Sequence, residues 1–272
     1  MLIKGEKKYI KTLTELWKKV FGDNEEYIAL FFDEAYGNCE CFAETVDEKA
    51  VSALYLLKCD LKYNGKVYSG RYLYAAATDS DYRSKGLMAK LIEEAKIYCK
   101  EQGIEFIALV PASDSLYGYY EKFGFTESMY KYRYVIDSPC FGMPPSYSIT
   151  DDSLHSLRGI CKENMLFFSE NVHRFAGRAM SSFSYAEFYK NKNGAYFAAE
   201  CDFCTVYEFL PLCEQDEYEL HPFLESGTVV YSPYECKTLE NAEKIRNGMI
   251  YAVSDSLKKE DLRDIYMNIA LD

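Results

Sequence analysis

The stretch that decides the fold is TDSDYRSKGLMAKLIEEAKIYCKEQGIEFIALV, Thr78 to Val110. Residues 86–102 place Leu87, Leu91, Ala95, Tyr98 and Cys99 on one face and Lys90, Glu93, Glu94, Lys100 and Glu101 largely on the other. That spacing predicts an amphipathic helix, closed by Gly103. Ile104 to Val110 is nearly all apolar, as in a central strand buried on both faces. With the strand pattern that ends at Thr78, residues 72–110 read strand, loop, helix, strand: a βαβ unit with parallel strands and a right-handed crossover.

The loop of this unit, Asp79 to Met88, joins a buried strand to a helix N-terminus. Free backbone N–H groups and the positive end of the helix dipole favour an anion there, Gly86 allows close approach, and Arg83 and Lys85 add positive charge. The arrangement suits a pyrophosphate. Neither G-x-x-x-x-G-K-[ST] nor G-x-G-x-x-G occurs in the chain, which removes the Walker A and dinucleotide-fingerprint classes.

Upstream, Tyr9 to Phe21 carries Ile10, Leu13, Leu16, Trp17 and Val20 at helical spacing, and Glu25 to Phe32 reads as a second short helix. Strands follow over Cys39–Val46, Ala50–Tyr63 and Lys66–Thr78, the last two joined by the hairpin signal Asn64-Gly65. Downstream, Ser113, Asp114 and Ser115 offer N-caps for a short helix over Leu116–Phe123, and Phe125–Ile136 returns as strand. Asp137 to Ser146 holds three of the seven prolines, Pro139, Pro144 and Pro145, and marks a boundary. Beyond it, Asp151–Lys162 and Gly177–Lys190 read as helices, then strands near Tyr196–Leu210, Thr228–Tyr231 and Met249–Val253, then a terminal helix over Lys258–Ile269. This order loosely repeats the first half, as a degenerate duplication would.

The 272 residues are 49% hydrophobic and 27% charged, a globular composition. Lys plus Arg number 31 against 43 Asp plus Glu, a net charge of −12. That balance argues against nucleic acid and anionic membranes as partners and favours cationic small molecules, amines included. The opening Met1 to Glu6 lacks the apolar core of a signal peptide, and no apolar run reaches the roughly 20 residues that span a bilayer, so a cytoplasmic location is expected. The ten cysteines are scattered, as reduced thiols would be. Cys201 and Cys204 form the one C-x-x-C, near Cys213, but within a strand pattern where residues three apart face opposite ways. His155, His173 and His221 are never at ligand spacing, so no metal is expected.

Arg83-Ser-Lys-Gly-Leu-Met88 resembles the R/Q-x-x-G-x-G/A acyl-CoA loop of the Gcn5-related N-acetyltransferase (GNAT) superfamily, and Tyr120-Glu-Lys-Phe-Gly-Phe125 resembles its Y-E-x-x-G-F helix end. The resemblance covers about residues 72–126. It implies an α/β (α+β) fold: a GNAT domain over 1–137 with a mixed, mostly antiparallel twisted sheet and flanking helices. A Pro/Gly linker over 138–146 and a smaller degenerate GNAT-like α+β lobe over 147–272 complete the expected organisation.

What the resemblance implies about the site follows residue by residue. Arg83, Ser84, Lys85, Gly86, Leu87 and Met88 hold the pyrophosphate of acetyl-CoA, and Ala76, Ala77 and Thr78 line its pantetheine arm. Tyr120 protonates the departing thiolate, which is chemically sound because a phenol of pKa about 10 can donate to the thiolate of an acid near about 8.5. Met88 stands where the family usually has Gly or Ala, and Ser113 where many members have a cofactor-binding Asn. Tyr117 and Tyr119 read as wall or packing residues. Asp79 is weighed as a general base against the plainer role of capping its loop. A similarity to the two-lobed enhanced-intracellular-survival acetyltransferases, in which the terminal carboxylate lies in the active site, adds Asp272.

The implied activity is acetyl transfer from acetyl-CoA to a primary amine of a small cationic acceptor, in a ternary complex. Oligomeric state is left open, a homo-oligomer included. The competing readings are a non-catalytic acyl-CoA-binding sensor or scaffold, and an aminoacyl transferase, whose basic tRNA patch the charge balance does not favour.

Overall fold

Lys49–Tyr63 (β3) alternates between two interiors, sending Ala53, Tyr55, Leu57, Cys59 and Leu61 into one apolar cluster and Leu54 and Leu56 into another. A strand buried on both faces must lie mid-sheet between two helical layers, and it does. The computed structural model describes residues 2–3, 6–136, 147–148, 163–183, 186–190, 194–199, 205–211, 226–233, 235 and 241–267.

Its strands are β1 (Leu2–Ile3), β2 (Glu40–Val46), β3, β4 (Lys66–Thr78), β5 (Phe106–Leu109), β6 (Thr126–Val135), β7 (Tyr147–Ser148), β8 (Met165–Phe168), β9 (Ala186–Lys190), β10 (Gly194–Ala199), β11 (Thr205–Pro211), β12 (Val229–Ser232) and β13 (Glu243–Ala252). Among the described residues they form one sheet in the order β1-β2-β3-β4-β5-β13-β6-β12-β11-β10-β9-β7, with β8 paired to β3. Among the described strands only β4 with β5 and β11 with β12 pair in parallel. The expected mixed, mostly antiparallel sheet with flanking helices is the one observed.

The β3–β4 hairpin closes where Asn64-Gly65 predicts, with φ of +50° and +73° at the two turn residues. Helix α1 (Ile10–Phe21) stops at Gly22, and the Asn24 side chain accepts the Tyr27 N–H to start α2 (Glu25–Glu34). These two helices and α5 (Glu170–Phe183) cover one face with Trp17, Phe31, Phe175 and the sheet residues Tyr55 and Tyr74. Helices α3 (Leu87–Glu101) and α4 (Asp114–Glu121) cover the other, with Leu91, Ile92, Tyr117 and Tyr120.

The C-terminal strands do not form a separate sheet. β13 lies between β5 and β6, and β8 extends the free edge of β3. Residues on both sides of 138–146, a stretch outside the described residues, therefore share one hydrogen-bonded framework.

Three sequence expectations are corrected. The helix expected over Gly177–Lys190 begins earlier, at Glu170, and ends at Phe183, while Ala186–Lys190 is strand paired with β10. Tyr196–Leu210 is two antiparallel strands, β10 and β11, rather than one. The described part of the expected terminal helix is a single 3-10 turn, Leu257–Lys259, followed by extended chain. There the Ile265 N–H donates to Ser128 O at 3.1 Å and the Leu166 N–H to Tyr266 O at 2.9 Å. Partners 100 or more positions away satisfy this backbone, which local periodicity cannot reveal. The helix expected over Asp151–Lys162, His155, His221 and the Cys201, Cys204 and Cys213 group lie outside the described residues.

Candidate active site

β4 and β5 are hydrogen-bonded only from Gly70 to Tyr72 against Phe106 to Ala108. β4 continues six residues further, to Thr78, held on its other side by β3 at Ala53–Ala77 and Ser52–Thr78. Among the described residues no strand pairs with the β5-facing edge of β4 beyond Tyr72. The two parallel strands therefore part beyond Tyr72 and leave that edge of Leu73–Thr78 without a neighbouring strand. In that stretch β4 carries a register shift and Ala75 adopts φ +47°. For a non-glycine residue this conformation costs about 1–2 kcal/mol, and such strain is retained where the surrounding structure imposes it.

The loop that follows β4 has the geometry of an anion cradle. Ser84 and Gly86 both take positive φ, +60° and +75°. Gly86 sits at the N-cap of α3 with no side-chain cap, and the Lys90 N–H donates to Gly86 O at 3.0 Å. The amides of Leu87, Met88 and Ala89 thus have no acceptor within the helix and point from its positive end. A Cβ at Gly86 would meet nothing within 4 Å, so the approach to these amides is open. Arg83 reaches back, its Nε donating to Thr78 O at 3.1 Å. The Lys85 ammonium bonds Asp81 O at 2.9 Å and lies 4.6 Å from the Tyr82 ring centroid.

The acidic residues before the loop are structural. Asp79 accepts the Asp81 N–H at 3.1 Å and lies 2.7 Å from Lys19 Nζ on α1. The hydrogen bond from Lys19 holds its carboxyl below the usual range. A carboxylate so held is a poorer proton acceptor near neutral pH, which favours the loop-capping role over that of a base.

Ala76, Met88, Leu116, Tyr117 and Tyr120 belong to one apolar cluster with Leu109, which brings the end of β4, the start of α3 and the whole of α4 to the same place. Met88 uses its side chain as packing there. Ala77 is buried against the opposite face, and Thr78 Oγ1 shares a hydrogen bond with Ser52 Oγ at 2.8 Å. Ser113 precedes α4 and is exposed, its hydroxyl 2.9 Å from that of Ser115. Tyr120 is 7% exposed and packs edge-on against Tyr119 and Phe125. Asp272 lies outside the described residues.

Sequence reasoning missed Lys19, Ser52, Lys96 and Arg246, which brace this region from other elements. No spacing signal could have found them, because each acts on residues at least 25 positions away. A cleft of about 560 Å³, lined by Thr126, Tyr251, Lys258 and Glu260 among others, lies beside the N-terminal end of β5. Among the described residues no group of three His, Cys, Asp or Glu could hold a metal ion, and no helix is long and apolar enough to cross a membrane.

The comparison with family models covers this same stretch of chain. Residues 2–128 match the acetyltransferase (GNAT) domain. Over these residues the chain carries a GNAT acetyltransferase domain. No curated protein sequence matches it. A conserved protein of unknown function from Enterococcus faecalis V583 is similar in fold, with TM-score 0.74 and 12% identity over 93% of this chain and 72% of that one. A GCN5-related N-acetyltransferase from Kribbella flavida gives 0.69 and 14% over 93% and 70%. Eis1 from Mycobacterium abscessus gives 0.66 and 9% over 93% and 74%. At these identities the likeness is one of fold, and it extends over both halves of the chain.

Proposed function

We propose that this N-acetyltransferase transfers the acetyl group of acetyl-CoA to a primary amine of a small cationic acceptor, by direct attack in a ternary complex. The observation that carries the reading is the open edge of β4 beyond Tyr72, leading into the Ser84–Met88 cradle. The residues fit the cofactor: an extended pantetheine arm can take the place of the missing neighbour strand beside Ala76–Thr78. The pyrophosphate would meet the amides of Leu87 and Met88, with Arg83, Ser84, Lys85 and Gly86 around it and Ser113 nearby.

The chemistry then needs three groups. A main-chain N–H of β4 near the strained Ala75 would stabilise the oxyanion as it develops. Tyr120 would deliver a proton to the departing thiolate. The attacking amine must be neutral, so its proton leaves through a carboxylate or water outside the residues named here. The surplus of acidic over basic residues, −12 net, supports a cationic acceptor.

Thermal unfolding with and without excess acetyl-CoA, followed by thiol release with polyamines, aminoglycosides and amino acids, tests this. Acetyl-CoA should raise the midpoint, because it binds the folded state alone. Thiol release should depend on one amine class and fall at least about tenfold in Tyr120→Phe while the midpoint shift remains. Absence of any shift would sink the cofactor reading. A shift without thiol release from any amine would turn it toward an acyl-CoA-binding module.

A further inference from the structure

We infer that Arg246, on the last strand of the sheet, is a positioning residue for α4, the helix that bears Ser113 at its start and Tyr120 near its end. The inference rests on the acetyl-transfer reading above for its functional meaning, and on contacts for its geometry.

Arg246 Nη1 donates to Glu127 Oε1 at 2.7 Å and Nη2 to Asp114 Oδ1 at 2.9 Å, and its guanidinium carbon lies 4.1 Å from the centroid of the Tyr117 ring. Asp114 is the first residue of α4, directly after Ser113, and Tyr117 is one turn before Tyr120 on the same face. One side chain thus fixes both the start of the helix and the ring beside Tyr120, and ties them to β6. The other end is held in a similar way. Lys96 Nζ on α3 donates to Phe123 O at 3.1 Å and lies 4.5 Å from the centroid of the Tyr251 ring, which packs on Phe125 at 5.6 Å. β13 therefore reaches the start of α4 through Arg246 and the turn that follows the helix through Tyr251 on Phe125.

The helix depends on such bracing. Eight residues make little more than two turns, too few to be stable alone, and no side chain caps its N-terminus. Arg246 and its two carboxylates are partly exposed, and ion pairs of that kind add little to global stability. Their effect is local: a planar fork shared by two carboxylates and stacked on a ring restricts orientation, which a lysine cannot reproduce. The geometry makes the last strand, which arrives after the whole second half, part of the cofactor site.

The test compares wild type with Arg246→Ala, Arg246→Lys, Asp114→Asn and Tyr120→Phe. It reads amide hydrogen exchange by mass spectrometry and acetyl-CoA affinity by calorimetry. In Arg246→Ala, exchange over residues 112–125 should quicken about tenfold while β2–β4 peptides keep their rates. The acetyl-CoA Kd should rise about fivefold. Arg246→Lys should recover only part of both changes, and Asp114→Asn, at an exposed position, should reproduce part of them without disturbing β13. Tyr120→Phe should leave exchange unchanged. Unchanged exchange over 112–125, or acceleration spread evenly along the chain, overturns the positioning role. Local acceleration with unaltered affinity overturns its link to the site. Wild type that fails to bind acetyl-CoA overturns the acetyl-transfer reading and that link together.

Discussion

The guanidinium of Arg83 donates through Nε to the carbonyl of Thr78 at 3.1 Å, so the first residue of the Arg83–Met88 loop is anchored to the last residue of β4. The bond engages Nε of the side chain. Arg83→Ala should therefore lose both loop closure and charge, raising the acetyl-CoA Kd by roughly tenfold, about 1.4 kcal/mol. Arg83→Lys should recover little, because an ammonium cannot make the planar contact. Calorimetry checks this, and equal affinity in all three proteins would remove Arg83 from the site.

Gly86 separates folding from binding. At φ +75° an alanine there costs about 1–2 kcal/mol in backbone strain, but its Cβ would meet no protein atom within 4 Å. Gly86→Ala should fold with a modestly lowered Tm and bind acetyl-CoA much less well, because the methyl projects where phosphate would sit. A Kd that changes no more than the stability does would argue against the cradle.

Gly70, opposite Phe106, is the first position at which β4 and β5 pair. A Cβ there would stand 2.2 Å from Cε1 and Cζ of the buried Phe106 ring. Gly70→Ala should destabilise by about 3 kcal/mol in urea unfolding, and adding Phe106→Leu should restore part of that. The two changes should be strongly non-additive, since each removes the reason for the other's cost.

The Lys19–Asp79 pair sets a pH window. Hydrogen bonding to Lys19 lowers the Asp79 pKa from its ordinary 3.8, and hydrogen bonding to Asp79 raises that of Lys19 from its ordinary 10.5. The stabilisation is therefore present above the unfolded carboxylate value and below the unfolded ammonium value. It is lost as pH falls through the lowered Asp79 value, or rises through the raised Lys19 value. The difference in Tm between wild type and Asp79→Asn should be flat from about pH 5 to about pH 9 and shrink below about pH 4. A difference that varied across neutral pH would mean another group governs the loop.

Much of the first half was legible because its determinants are local. Asn64-Gly65 tolerates positive φ, so β3 ends at Tyr63 and β4 begins at Lys66 as the turn requires. The two-faced pattern of residues 86–102 and the apolar run at Ile104–Val110 specify helix and buried strand without reference to anything distant. The Arg83–Met88 loop and Tyr120 were likewise visible as motifs, each carried by a continuous segment.

The tertiary structure alone decided the rest, because it turns on partners far apart in sequence. The apolar run at Met249–Val253 marks a strand but cannot say that it slots between β5 and β6. The stretch Lys258–Ile269 reads as a helix until β6 and β8 supply the hydrogen bonds to Ile265 and Tyr266. The parting of β4 and β5 beyond Tyr72, the strain at Ala75 and the reach of Arg246 to Asp114 exist only once the sheet has assembled. Local periodicity sets which face of an element is apolar, but which element covers that face, and which cation braces which helix, depends on long-range pairing.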